Sequence, residues 1–163
     1  MKFNWVDLLA IGAVTTGAAI QFLRSIRDFS LVFYETLLFI GALIATVRLF
    51  LPVHKLLSIS PVIAFVGVFV ILVVLGILVA TLINQFFEFS LGAFDYFFGL
   101  LLGIVCGFVF GHALLRTVLL GFCLSNPAVA EAVRSSWMAS QVLYFGAFRE
   151  LLGLLRIARY HNI

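Results

Sequence analysis

Charged side chains are few: ten Lys and Arg and seven Asp and Glu stand among 163 residues. A soluble domain carries roughly 25% charged residues. With 64% of the chain hydrophobic and a mean hydropathy of +1.25, no packing in water could hide its apolar side chains. A soluble globular protein is excluded, and an integral membrane protein is expected. Proline is scarce, with three in all, so long helices meet few breaks. The two cysteines, Cys106 and Cys123, fall about 25 Å apart on one expected helix, too far to bridge. They read as small apolar thiols. The three histidines, His54, His112 and His161, show no metal-ligand spacing. No phosphate loop, nucleophile elbow or pair of catalytic acids is present. Neither an enzyme nor a cofactor or metal is expected. The net charge of +3 suits basic residues flanking spans beside anionic lipid. The bilayer is therefore the expected partner, and nucleic acid is not.

The apolar sequence falls into four runs, each near the roughly 20 residues needed to cross hydrocarbon. They cover about 8–23, 29–51, 62–83 and 97–122. Arg24, Arg27 and Asp28 stop the first. Pro52, His54 and Lys55 are read as a short turn after the second, and Pro61 opens the third. Asn84, Gln85, Glu88 and Asp95 form a polar, acidic connection to the fourth. Asp7 interrupts the start of the first run, where a signal sequence would be uncharged, so this run is read as a retained span. The expected class is an all-α membrane protein, with a four-span bundle over 1–123 and sequential helices antiparallel.

The remainder, 124–163, reads as an amphipathic helical tail. Asn126-Pro127 is a helix start. Val129, Val133, Trp137, Leu143, Phe148, Leu151 and Leu155 recur at helical spacing, with Arg134, Gln141, Arg149 and Arg156 on another face. A break at Gly146 is allowed by the pattern. Such a helix suits the membrane interface. A fifth span would bury Arg149 and Glu150, which is costly, and docking on a soluble partner is a third reading.

Four spans put both termini on one side with Lys2, Arg48, Lys55, Arg116, Arg134, Arg149, Arg156 and Arg159, against Arg24 and Arg27 opposite. The positive-inside rule then favours cytoplasmic termini.

Within the spans, Glu35 is the one deeply placed acid. An intramembrane carboxylate is a functional candidate, as a proton relay or ion site. The alternative is an ion pair with Arg24 or Arg27. His112, four residues before Arg116, is the second candidate for such a site. Asp7 reads as a partner of the first helix's dipole. Gly99, Gly103, Gly107 and Gly111 recur every fourth residue along the fourth span. Small residues at this spacing let a neighbouring helix come close in lipid. The row drifts about 120° around the helix, so it needs a neighbour crossing at an angle, or two neighbours. Gly12, Gly17, Gly41, Gly67 and Gly76 could face it. A pore lining is the alternative to packing, and the packing partner could be the same chain, a second copy or another membrane protein.

Four blocks together resemble one family. They are Asn4-Trp5-Val6-Asp7, Arg24-Ser25-Ile26-Arg27-Asp28, Asp95 with Gly99, Gly103 and Gly107, and Trp137-Met138-Ala139-Ser140-Gln141. In this order over nearly the whole chain, they resemble the colicin V production protein family of bacterial inner-membrane proteins. The second block is one residue shorter than the family's, with Ser25 in place of Gly, and Tyr96 stands where relatives often carry Arg. The resemblance implies a four-span inner-membrane protein tied to production or export of a peptide toxin and to envelope homeostasis under membrane stress. It implies no catalytic residues. Basic first and third loops in relatives favour the orientation opposite to the charge count.

Overall fold

A computed structural model of the chain describes residues 4–123 and 126–144. The described residues form six α-helices and no strand: α1 (Trp5–Ser25), α2 (Phe29–Leu57), α3 (Pro61–Phe86), α4 (Asp95–Phe122), α5 (Pro127–Ser135) and α6 (Trp137–Tyr144). A single 3-10 turn, Gly92–Phe94, leads into α4. The first three helices and the stretch Gly92–Phe122 are each long and apolar enough to cross a membrane. The chain is a multi-pass membrane protein with shorter helices at its C-terminal end.

The second helix runs through Pro52 to Leu57, so this proline does not mark the turn expected from sequence. At 29 residues α2 is about 43 Å long, longer than a hydrocarbon core of roughly 30 Å. A proline's missing hydrogen bond is tolerated in such helices where neighbouring groups or water meet the freed carbonyl. The break falls later. Ser58 takes the left-handed conformation (φ 50°) that ends helices, His54 Nδ1 meets the Ile59 carbonyl, and Ser60 caps α3 ahead of Pro61.

The helices do not pack in chain order. The first helix lies chiefly along α4 and touches α2 only lightly; α2 and α3 form a hairpin that packs on the other side of α4. Among the described residues, α1 and α3 make no contact. The fourth helix is thus the centre of the fold. On its hairpin side, Cys106, Val109 and Ala113 are buried with Phe39, Leu43, Phe50, Phe65 and Phe69. Edge-to-face rings, Phe39 on Phe110 at 5.4 Å and Phe69 on Phe110 at 6.0 Å, lock this contact.

The side of α4 toward α1 is the glycine row, with the two helices antiparallel. A Cβ on Gly103 would lie 2.5 Å from the Ala18 carbonyl oxygen. One on Gly107 would overlap the Val14 carbonyl, and one on Gly99 would overlap the Ser25 hydroxyl. From the α1 side, a Cβ on Gly17 would lie 2.8 Å from the Gly107 Cα. The two backbones are in direct contact, and glycine Cα hydrogens point at α1 carbonyls. Each Cα–H···O contact contributes about 0.5–1 kcal/mol. The drift of the row is met by a second neighbour. A Cβ on Gly111 would sit 3.2 Å from Val14 Cγ2 and 3.4 Å from Val142 Cγ1, the latter on α6. Among the glycines expected to face the row, Gly17 does. Gly76 packs on Leu38 and Phe39 of α2 instead, and Gly12, Gly41 and Gly67 have open space where a Cβ would go. They fail to join because they point away from the one helix pair whose backbones meet.

The tail begins as two short helices joined at Ser136, where an extended residue separates α5 from α6. Ala139, Val142 and Leu143 of α6 are buried against Val6, Ala10, Val14 and Leu115. The apolar side of this segment is thus taken up by the chain's own bundle. Residues 145–163, with Gly146, Phe148, Arg149, Glu150, Leu151, Leu155, Arg156, Arg159 and His161, lie outside the described residues, as does Lys2.

The glycine seam sets a position-specific expectation. Gly103→Leu or Gly107→Leu will force α1 off α4 and lower stability by of order 3 kcal/mol, read as a fall in thermal midpoint in micelles. Gly41→Leu, facing open space, will leave the midpoint within a degree or two. Equal behaviour of the two classes would show that the seam does not hold the fold.

Candidate functional site

Polar groups inside a span need partners, because lipid offers none. They gather here in three places. The first is where α1, α2 and α4 meet. Glu35 is fully buried, and its Oε1 accepts a hydrogen bond from Arg24 Nη2 at 2.6 Å. The Arg24 side chain is 41% exposed. It reaches inward from the last turn of α1 while its stem stays at the helix surface. Gln21, one turn deeper and 3% exposed, donates from Nε2 to Glu35 Oε2 at 3.3 Å. Beside them, the Thr36 hydroxyl donates to the Val32 carbonyl at 2.7 Å and contacts Cys106 Sγ at 3.3 Å. Since the single Thr36 proton is committed to Val32, the Cys106 thiol is the donor in that contact. One acceptor is left over: Gln21 Oε1 is buried and receives no hydrogen bond.

The sequence alternative of an ion pair for Glu35 is therefore the one observed, with Arg24 and not Arg27 as partner. Arg27 is exposed, and its side chain makes no ion pair with a described residue. His112 does not join Glu35. It is buried six positions along α4 from Cys106, about 9 Å further, and its Nδ1 contacts the Val142 carbonyl of α6 at 3.0 Å. The two candidate proton or ion residues belong to different neighbourhoods.

The second place is the start of α1. Asn4 and Asp7 form a reciprocal capping box. Asp7 goes beyond the helix-dipole role expected of it. Its Oδ2 accepts from Asn4 N at 2.9 Å, while Oδ1 accepts from the Ser136 hydroxyl at 2.6 Å and from Met138 N at 3.0 Å. Asn4 Nδ2 reaches the Ala132 carbonyl at 2.8 Å. Ser136 also caps α6 through Ala139 N at 2.9 Å. One carboxylate thus ties the two ends of the described chain together. Within the tail block, Trp137 is exposed and Ser140 lines a cleft with Leu119, Cys123 and Arg134. The hydroxyl that bonds Asp7 belongs to Ser136, just outside the block.

The third place is the opposite end. Asp28 caps α2 through Leu31 N at 2.9 Å and accepts from Asn84 Nδ2 at 2.8 Å. Ser30 Oγ lies between Asp28 Oδ1, at 3.1 Å, and the Asn84 side-chain oxygen. This ties the first turn to the end of α3. Asp95 holds its own loop, accepting from Ser90 Oγ at 2.6 Å and Leu91 N at 2.7 Å.

Sequence reasoning passed over Gln21, Thr36 and Ser136. Gln21 carried a usable signal, an amide one turn before Arg24 within an apolar run, since polar residues in spans are functional candidates. Ser136 before Trp137 is an N-cap pattern. Nothing in sequence sets Thr36 apart from threonines that bond only their own helix, such as Thr46. Among the described residues, no three His, Cys, Asp or Glu side chains gather as metal ligands. Comparison of the chain with family models, curated proteins and solved structures finds no match.

Arg24→Gln leaves the Glu35 charge buried without its cation, which costs of order 3 kcal/mol. The double variant Arg24→Gln, Glu35→Gln removes both charges and will recover most of that loss. A double-mutant cycle by chemical or thermal unfolding measures the coupling. Additive losses would mean that the pair carries no interaction of its own.

Proposed function

We propose that this chain is a non-enzymatic protein of the bacterial inner membrane, of the colicin V production type, supporting export of a peptide toxin and envelope homeostasis through its packed fold and contacts with membrane partners. One observation carries the reading. The blocks that resemble the family are the same places that hold the bundle together. Asp7 grips the start of α6, Arg24 neutralises Glu35, Asp28 joins the first turn to α3, and the glycines seat α1 on α4. Residues maintained for a scaffold would lie where these lie. Among the described residues, the end bearing Asn4 and Phe122 carries Arg48, Lys55, Arg116 and Arg134, and the other end carries Arg24 and Arg27. That balance supports termini in the cytoplasm.

A second reading, a channel or transporter component, draws on the burial of Glu35 beside an exposed arginine. Ion or proton flux through the protein in liposomes, abolished by Glu35→Gln, would favour it.

The scaffold reading is tested by complementation in a bacterium that secretes colicin V and lacks its own relative of this chain. Wild type will restore secreted toxin and growth under detergent stress. Gly103→Leu will restore neither, and Gly41→Leu will behave as wild type. If the wild-type chain reaches the membrane and changes neither phenotype, the reading fails.

A further inference from the structure

The connection from α3 to α4 is built the wrong way round for water. Residues 86–98 hold six of the chain's 19 phenylalanines and a tyrosine, although they join two helices instead of filling a core. Phe86, Phe87 and Phe94 are exposed by 78%, 68% and 65%. The polar groups turn inward instead. Asp95 accepts from the Ser90 hydroxyl and from Leu91 N, and Ser90 Oγ accepts from Gly92 N at 3.0 Å. Phe87 N stays bonded to the Ile83 carbonyl at 2.9 Å, and the Phe87 carbonyl accepts from the Tyr34 hydroxyl at 2.8 Å. Unmet backbone groups keep an irregular segment out of lipid. These are met from within the loop and from its neighbouring helices.

Both ends of the connection are held level with the α1–α2 turn. Asn84 bonds Asp28, and Gly99 faces Ser25, the last residue of α1. Asp95 is four residues before Gly99, so about 6 Å further out. Between these points the chain is laid back along α2, with the Phe89 ring edge-to-face on Phe29 and Phe33, 5.6 Å from each. The segment therefore lies flat at the end of the bundle, within the depth of a headgroup zone of roughly 5–8 Å. Exposed apolar patches mark protein or membrane contacts, and here lipid is favoured. The patch continues the lipid-facing surface of the spans, from Leu82 to Phe86 on α3 and from Phe97 to Leu101 on α4, each pair one helical turn apart. A protein partner would use about one hydrogen bond per 100–200 Å², and the inward-turned polar groups offer few. Between Lys55 and Arg116 the sequence has no Lys or Arg, so the rings and not a cation must hold the segment to the membrane. We propose that residues 86–98 form an interfacial anchor. The rings of Phe86, Phe87 and Phe94 sit in the upper acyl region of one leaflet, and Asp95 is the clamp that lets the backbone lie there. This goes beyond the scaffold role and does not depend on it.

The test uses the full chain in phosphatidylcholine vesicles, with Trp5→Phe and Trp137→Phe removing both native tryptophans. Fluorescence is read from Phe87→Trp, Phe94→Trp and, as a reference near the middle of α3, Ile71→Trp. The quenchers are iodide in the water and phosphatidylcholine brominated in the upper or the lower half of an acyl chain. Interfacial elements seat their apolar groups roughly 5–10 Å into the boundary, so both loop tryptophans will be quenched about twofold more by upper than by lower bromines and will resist iodide. Ile71→Trp will show the opposite order of bromines. Asp95→Ala, added to Phe94→Trp, unties Ser90 and Leu91 and will raise iodide quenching about twofold. Quenching of both loop tryptophans by iodide and by neither bromolipid would put the segment in water and overturn the inference. Shielding from all three quenchers would put a second copy of the chain over the patch and overturn it equally. An Asp95→Ala profile identical to its parent would overturn the role of the clamp.

Discussion

The contact between the backbones of α1 and α4 is the constraint from which the arrangement follows. In water, four glycines would weaken a helix by nearly 1 kcal/mol each relative to alanine. In lipid the comparison changes, because apolar side chains gain little by leaving the acyl chains for one another. What remains is dispersion, weak hydrogen bonding from Cα and the exclusion of lipid, all of which rise steeply as two backbones approach. The missing Cβ atoms at Gly99, Gly103 and Gly107 allow that approach. Once α1 occupies this side of α4, the α2–α3 hairpin must take the other, where phenylalanines replace glycine as the packing element. That division leaves α1 and α3 apart.

Polar residues then fix ends and register, which a seam of small residues leaves free to slide. Asp7 sets the position of α6 under α1 and α4. At the opposite end, Asn84 and Asp28 set α3 against the first turn. The Arg24–Glu35 pair lies between these and the seam, and adds a charge constraint between two helices that otherwise barely meet. In hydrocarbon, such groups specify arrangement because every misplacement leaves a donor or acceptor unmet.

Much of this was legible in the sequence, for identifiable reasons. The spans could be placed because hydropathy acts over some twenty residues and needs no tertiary knowledge. The glycine row could be read as a packing face because its spacing matches the helix, and of the two ways to meet its drift, an angled neighbour or a second one, α6 at Gly111 supplies the second. Which helix filled it could not be read, since Gly12, Gly17, Gly41 and Gly67 are alike as letters and only Gly17 meets α4. Pro52 misled because proline ends helices in water, while α2 carries it near the C-terminal end of a helix longer than the hydrocarbon is thick. The candidate site was partly legible. Glu35 and Arg24 stood out as charges in apolar runs, whereas Gln21 and Ser136 acquire meaning only from residues on other helices.

The topology also bears on how the chain is assembled. Its principal interface joins the first of the four spans with the last, separated by the whole α2–α3 hairpin. Some ninety-seven residues lie between Ser25 and Phe122, which at synthesis rates of about 5–20 residues per second is roughly 5–20 s. Throughout that interval α1 sits in the bilayer with its small-residue face uncovered and Asp7 without Ser136. The bundle therefore closes late, first when α4 arrives against α1 and then when α6 reaches Asp7.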